Sequence, residues 1–208
     1  MSVTLTLQPD STTAKDANLY QEEPDTFYPT PSSMSIGEDN TFTQLFRAVF
    51  QYDLSSIPAG STILTATFTL TYAEAGNWRS SNNRVVSVYR IIRAWILAEV
   101  TWYEVDLLTN WGTPGCGNTT TDREAAAIGT ATCATTDADE SEKSWTLTPS
   151  KVQEWITGGA LTNKGFLMQC ATESSDRYQF HGSASATASK RPKLVITYNP
   201  PSGFFAFL

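Results

Sequence analysis

Residues 63–72 read Ile-Leu-Thr-Ala-Thr-Phe-Thr-Leu-Thr-Tyr, a stretch with a period of two. Leu64, Ala66, Phe68, Leu70 and Tyr72 fall on one side, and Thr65, Thr67, Thr69 and Thr71 on the other. An antiparallel strand with one face in a core and the other in water alternates in this way. Upstream, Phe46, Ala48, Phe50, Tyr52 and Leu54 alternate with Arg47, Gln51 and Asp53. The connector between the two runs carries Pro58 and Gly60, so the two strands are expected to lie close together. Further strands are expected at 3–7, 85–93, 144–148, 165–170, 177–181 and 193–198. One helix is signalled over 149–157. Thr148 supplies an N-cap, Pro149 occupies the first helical position, Val152, Trp155 and Ile156 share a face, and Gly158-Gly159 ends it. Residues 8–43 and 107–143 read as long loops. With strands dominant and no βαβ alternation, the fold class expected is all-β: a jelly-roll-like antiparallel β-sandwich with one short helix.

Composition agrees. The 208 residues include 30 Thr and 20 Ser, a bias that suits half-buried pleated surfaces and disfavours helices. At 40% hydrophobic and 12% aromatic the chain is not a disordered one. No apolar run approaches the roughly 18 residues of a membrane-spanning helix. The net charge is −7, all of it carried by residues 1–78. An acidic chain lacks the electrostatic footprint that holds a phosphate backbone, so no nucleic-acid partner is expected. Arg79, Arg84, Arg90 and Arg93 are expected to decorate a solvated face. The opening MSVTLTLQPD has neither a basic stretch nor an apolar core of a leader, so cytoplasmic synthesis without export is expected. Cys116, Cys133 and Cys170 form no metal knuckle. A Cys116–Cys133 bridge is one reading of them; small buried thiols are the expected one.

Several short motifs recur in a known order. These are Leu7-Gln-Pro-Asp10 with Ala14-Lys-Asp16, then Arg47 to Leu54 followed by Ser56-Ile-Pro-Ala-Gly60. Val88-Tyr-Arg90, Trp95 and Val100-Thr-Trp102 follow, then Trp111-Gly-Thr-Pro-Gly115, Val152-Gln-Glu-Trp155, Asn163 with Gly165-Phe166, and Arg191-Pro-Lys-Leu-Val-Ile-Thr-Tyr198. The set resembles the DNRLRE domain family, β-sandwich modules related to the disaggregatase repeat and to a group of carbohydrate-binding modules. The resemblance covers about residues 5–198 and implies a single sandwich domain, 1–198, followed by a tail, 199–208. It also implies a carbohydrate-binding capacity. Two departures stand out: Phe27-Tyr28-Pro29 replaces an Asn-Tyr-Gly, and His181-Gly-Ser183 lacks the Glu of a Ser-x-Glu element.

Catalytic constellations are sparse. His181 is the only histidine, so any nucleophilic triad would rest on it, and Gln179-Phe180-His181 alone does not make a lyase motif. Asp137, Asp139, Glu140 and Glu142 lie in a polar segment, read as solvated loop and without the spacing of a known calcium loop. No enzyme activity, cofactor or metal is therefore expected. Trp95, Trp102, Trp145 and Trp155 read as core, and Trp111 as wedged beneath its own loop. Trp78 differs, standing in the polar run Gly76-Asn-Trp-Arg-Ser-Ser-Asn-Asn-Arg84. An indole among Arg and Asn stacks on a sugar ring or anchors a protein contact, so Trp78, Arg79, Asn82 and Arg84 form the candidate carbohydrate- or partner-binding set.

The closing Pro-Pro-Ser-Gly-Phe-Phe-Ala-Phe-Leu208 is uncharged. Exposed, Phe204, Phe205, Phe207 and Leu208 would each forgo about 1.5–3 kcal/mol of burial. Docking on the same sandwich or into a neighbouring subunit satisfies them, and the second is favoured. The expectation is a non-enzymatic structural or adhesive accessory protein of a virus particle, a tailed phage. It would be a capsid decoration or tail-fibre subunit located in the virion, with other virion proteins, copies of itself and glycans as partners. The alternative is a carbohydrate-binding module of an extracellular polysaccharide-processing system.

Overall fold

The computed structural model describes residues 1–39, 43–73, 81–158, 162–174 and 176–202. Two antiparallel sheets face each other, as expected. The smaller has the order β1 (Val3–Leu7), β14 (Lys193–Asn199), β6 (Thr62–Thr71), β11 (Glu142–Leu147). The larger runs β10 (Arg123–Cys133), β7 (Arg84–Ile91), β12 (Phe166–Cys170), β5 (Leu45–Gln51), β2 (Lys15–Tyr20), β3 (Tyr28–Pro29). In that sheet β4 (Ser33–Glu38) pairs with the start of β5, and β13 (Arg177–His181) pairs with β4. A separate small hairpin joins β8 (Glu104–Asp106) to β9 (Thr109–Asn110).

The two runs that decide the fold, β5 and β6, are not a hydrogen-bonded hairpin. They belong to opposite sheets and meet through side chains, Phe50 and Phe68 lying 4.9 Å apart between ring centroids. Phe166 of β12 completes the cluster at 4.8 Å from Phe68 and 5.3 Å from Phe50. Trp145 is fully buried beside them, its indole N–H donating to the Val86 carbonyl at 2.9 Å. A buried indole needs such a partner, so the bond fixes β11 against β7 as well as filling volume. At the start of β6 the register against β14 shifts between Thr197 and Tyr198, which turns Ile63 inward and leaves Leu64 exposed. The alternation read through Leu64 therefore holds only from Ala66 onward.

Both long loops contain strands. Residues 8–43 hold β2, β3 and β4, and 107–143 hold the eleven-residue β10. The segment 92–122, which carries the small β8–β9 hairpin, folds over the outer face of the larger sheet and makes a second core. Trp95, Val100, Trp102, Val105, Trp111 and Cys116 cover Ala17, Leu19, Val49, Ile91 and Leu167. Trp111 is wedged there as expected, donating to the Thr101 carbonyl at 3.1 Å. All three cysteines are buried and unbridged.

This cover corrects the reading of the arginines. Arg90 is only 2% exposed and pairs with Glu124 and Glu154, and Arg93 lies 3.5 Å from the buried Asp122. Arg47 donates twice to Glu173, at 2.8 and 2.7 Å, and once to the Gly115 carbonyl. Their alternation with apolar residues marks the outer face of the sheet, but that face is not in water. The helix α1 (Pro149–Thr157) stands where expected, with Val152 and Trp155 buried. Thr148 does not cap it through its side chain, because its hydroxyl donates instead to the Ile128 carbonyl at 3.0 Å.

Candidate functional site

The candidate binding set divides. Trp78 and Arg79 lie outside the described residues, as do Phe204, Phe205, Phe207 and Leu208. Asn82 and Arg84 are described, and both converge on Asp176, a residue absent from the sequence reading. Asp176 is 1% exposed. Its Oδ1 accepts the Ser81 and Asn82 backbone N–H groups at 3.1 Å each. The Asn82 side-chain amide donates to both carboxylate oxygens, and Arg84 Nε donates to Oδ2. Arg84 also donates to the Ser174 carbonyl, and the Tyr178 hydroxyl donates to the Asn82 carbonyl.

This is a built pedestal: one buried charge, countered by an arginine and satisfied by backbone donors. Asn82 and Arg84 thus fix the chain that directly follows residues 74–80, the segment of the sequence with Trp78 and Arg79 that lies outside the described residues. The pedestal depends on a close approach at Gly37, whose φ of +126° belongs to glycine. A Cβ there would collide with the Asp176 carbonyl, which accepts the Glu38 N–H at 3.0 Å. Asp176 sits in the polar run Glu173-Ser-Ser-Asp176, where nothing in the sequence separates a buried anchor from loop carboxylates.

His181 lies on the far end of β13. Its Nε2 is 3.1 Å from Glu140 Oε1 and its Nδ1 is 3.4 Å from the Ser185 hydroxyl. Glu140 also pairs with Lys190; hydrogen bonds from Lys190 and then His181 hold its carboxyl below the usual range. The order Ser–His–Glu follows that of a triad. Ser185 is only 6% exposed, however, and its hydroxyl is also within 3.4 Å of the Thr187 carbonyl. The acidic segment is structured rather than free. Asp137 accepts from the Tyr72 hydroxyl, the Ala134 N–H and Lys143. Among the described residues no group of three or more His, Cys, Asp or Glu is placed to hold a metal ion.

A second feature went unread in the sequence. A groove of about 630 Å³ opens between the 52–59 segment and the C-terminal half of α1. Its lining includes Lys15, Asp53, Ile57, Trp155, Ile156 and Asn163. Lys15 donates to the Trp95 carbonyl at 2.8 Å, and burial followed by the nearby Lys164 pulls its pKa below the ordinary lysine value.

No curated protein matches the chain. A family model described as the disaggregatase related repeat domain matches residues 16–196, from the start of β2 into β14. With nearly the whole sandwich inside that match, the chain belongs to the disaggregatase-related repeat family.

Proposed function

We propose that the protein is a non-enzymatic structural and adhesive accessory subunit of a virus particle, a capsid decoration or tail-associated fibre subunit. It works by docking to other particle proteins and to copies of itself, and by touching glycans through the polar segment of the sequence that bears Trp78 and Arg79. The observation that carries this reading is the Asp176 pedestal. A loop whose root is held by a buried carboxylate presents its tip with less ordering cost on binding, which is how a recognition loop gains affinity. The groups with chemical potential are each engaged, His181 with Glu140, Asp137 with Tyr72 and Lys143, and Arg47 with Glu173, which supports a binding role over a catalytic one.

The test is a glycan array probed with the full chain and with Trp78→Ala. Loss of signal in the variant is expected, and equal signals would remove Trp78 from the site. Quantitative mass spectrometry of particles purified from the source should find the protein in stoichiometric amount. The second reading, a carbohydrate-binding module of an extracellular polysaccharide-processing system, rests on the same loop. It is separated by finding the protein with secreted polysaccharide enzymes instead of with particles.

A further inference from the structure

A strand at the edge of a sheet leaves alternate backbone N–H and C=O groups without a ladder partner, and such a row pairs with another strand unless it is covered, charged or broken. The edges of this sandwich are managed unequally. Along one side the two sheets close on each other. The Thr148 N–H donates to the Ile128 carbonyl of β10 at 2.7 Å, and a Cβ on Gly129 would meet the Thr146 carbonyl of β11 at 2.8 Å. β13 is met by the end of β6, through the Tyr72–Phe180 bridge and the bond from the Ala73 N–H to the Gln179 carbonyl. β3 is two residues long and ends in Pro29.

β1 has none of these protections. It pairs with β14 along its whole length, from Val3 with Tyr198 to Leu7 with Leu194, and among the described residues no other backbone group bonds to it. Residues 1–8, Met-Ser-Val-Thr-Leu-Thr-Leu-Gln, carry no charged side chain in a chain of net charge −7. Val3, Leu5 and Leu7 pack on the main core yet stay half-buried, with Thr4 and Thr6 exposed between them. The apolar face therefore stops one strand short of full cover. The described end of the chain does not supply that strand. Pro201 lies against Gly60, just before β6, and β6 flanks β14 on the side away from β1.

We infer that β1 is a pairing edge for β1 of a second copy, joining two four-stranded sheets into one about a twofold axis through Leu5. The strand's own sequence selects that partner. Turned about Leu5, Val-Thr-Leu-Thr-Leu sets Val3 against Leu7 of the second copy, Thr4 against Thr6, and Leu5 against Leu5. Apolar meets apolar on the core face and Thr meets Thr on the solvent face, pairings that stabilise an antiparallel ladder. A slip by one residue would set Leu against Thr and join the core face of one copy to the solvent face of the other. The contact is isologous and closes at two copies. It rests on the self-docking part of the reading above and names a surface for it. Five residues a side fall short of a standard interface, so the pairing is weak in dilute solution and forms where copies are crowded, as on a particle.

The test mixes Thr4→Cys and Thr6→Cys variants of the full chain at high concentration under mild oxidation. Both positions are exposed, and the native thiols are buried. The mixture should give disulfide dimer at least about fivefold above either variant alone, because residue 4 faces residue 6 across the axis while two residues 4 stand a diagonal apart, beyond disulfide reach. Amide exchange of residues 3–7 in the unmodified chain should slow as its concentration rises. The double variant Thr4→Lys, Thr6→Lys sets lysines against each other and should abolish that slowing without unfolding the chain. Equal disulfide yields from the mixture and the single variants, or exchange indifferent to concentration, overturns the pairing. A chain that is then still a dimer by mass leaves self-docking standing on another surface; a monomer overturns both.

Discussion

The Ser183 hydroxyl donates to Asp16 Oδ1 at 2.6 Å, joining the turn after β13 to β2 across 167 positions of sequence. Asp16 is 3% exposed, and burial raises its pKa to about 6 against the partial relief of the Ser183 bonds. The folded state therefore keeps a proton that the unfolded chain releases near 3.8. Stability supplied by the protonated carboxyl is full below about pH 4 and is lost as pH rises through about 6, by on the order of 3 kcal/mol. Asp16→Asn removes that loss while retaining an acceptor for Ser183. Urea unfolding at pH 4 and pH 7.5 should show the variant gaining on the wild type only at the higher pH. An unchanged difference would place the ionisation elsewhere.

Asp176→Ala should cost about 3 kcal/mol, since it strands Arg84 and three amide donors around a buried site. For a chain of this size that lowers Tm by roughly 10 °C. Asp176→Asn should recover part of the loss. Glycan binding should weaken with Asp176→Ala even at temperatures where the variant is fully folded, because the loop root is released. Retention of binding by a folded variant would separate the pedestal from recognition.

Arg90 tests what its two carboxylate partners contribute. Arg90→Ala leaves a cavity and two carboxylates countered only by Lys151, and should cost about 3 kcal/mol; Arg90→Met, which refills the space while Glu124 and Glu154 keep Lys151 and reach solvent, should cost less than half of that. Their side chains are 22% and 32% exposed, so they can relax outward. Equal losses by denaturant titration would show that volume, not charge, is what Arg90 supplies.

Gly165 opens β12 with φ +85°, and a Cβ there would collide with the Phe50 carbonyl of β5. Gly165→Ala combines left-handed strain with that collision and should destabilise by more than about 2 kcal/mol. Gly158 shares the positive φ but has nothing within 4 Å of an added Cβ. Gly158→Ala should cost clearly less, and a calorimetric comparison of the two separates collision from strain.

What was legible in the sequence follows the same physics. The strands β5 and β6 announce themselves because large apolar side chains alternate with Thr, Arg or Gln, and α1 because Pro149 and Gly158 bracket an apolar stripe. β2 did not, because its inward residues are Asp16 and Asn18, made tolerable only by Ser183 and the Ser33 carbonyl from distant segments. β10 did not, because Glu-Ala-Ala-Ala-Ile-Gly-Thr-Ala offers little contrast between its faces and its register shifts twice against β7. Arg90 and Arg93 read as solvated because local alternation cannot reveal a cover built from 92–122 or from α1. The same limit hid Asp176 and the groove, both of which exist only where separate segments meet.

The account's central claim is that this sandwich acts by docking, with its apolar closing segment seated on another copy. Light scattering of the full chain beside a chain ended at Asn199 tests it most directly. The claim predicts twice the single-chain mass for the first and the single-chain mass for the second, with equal Tm of the sandwich. One common mass for both would contradict it.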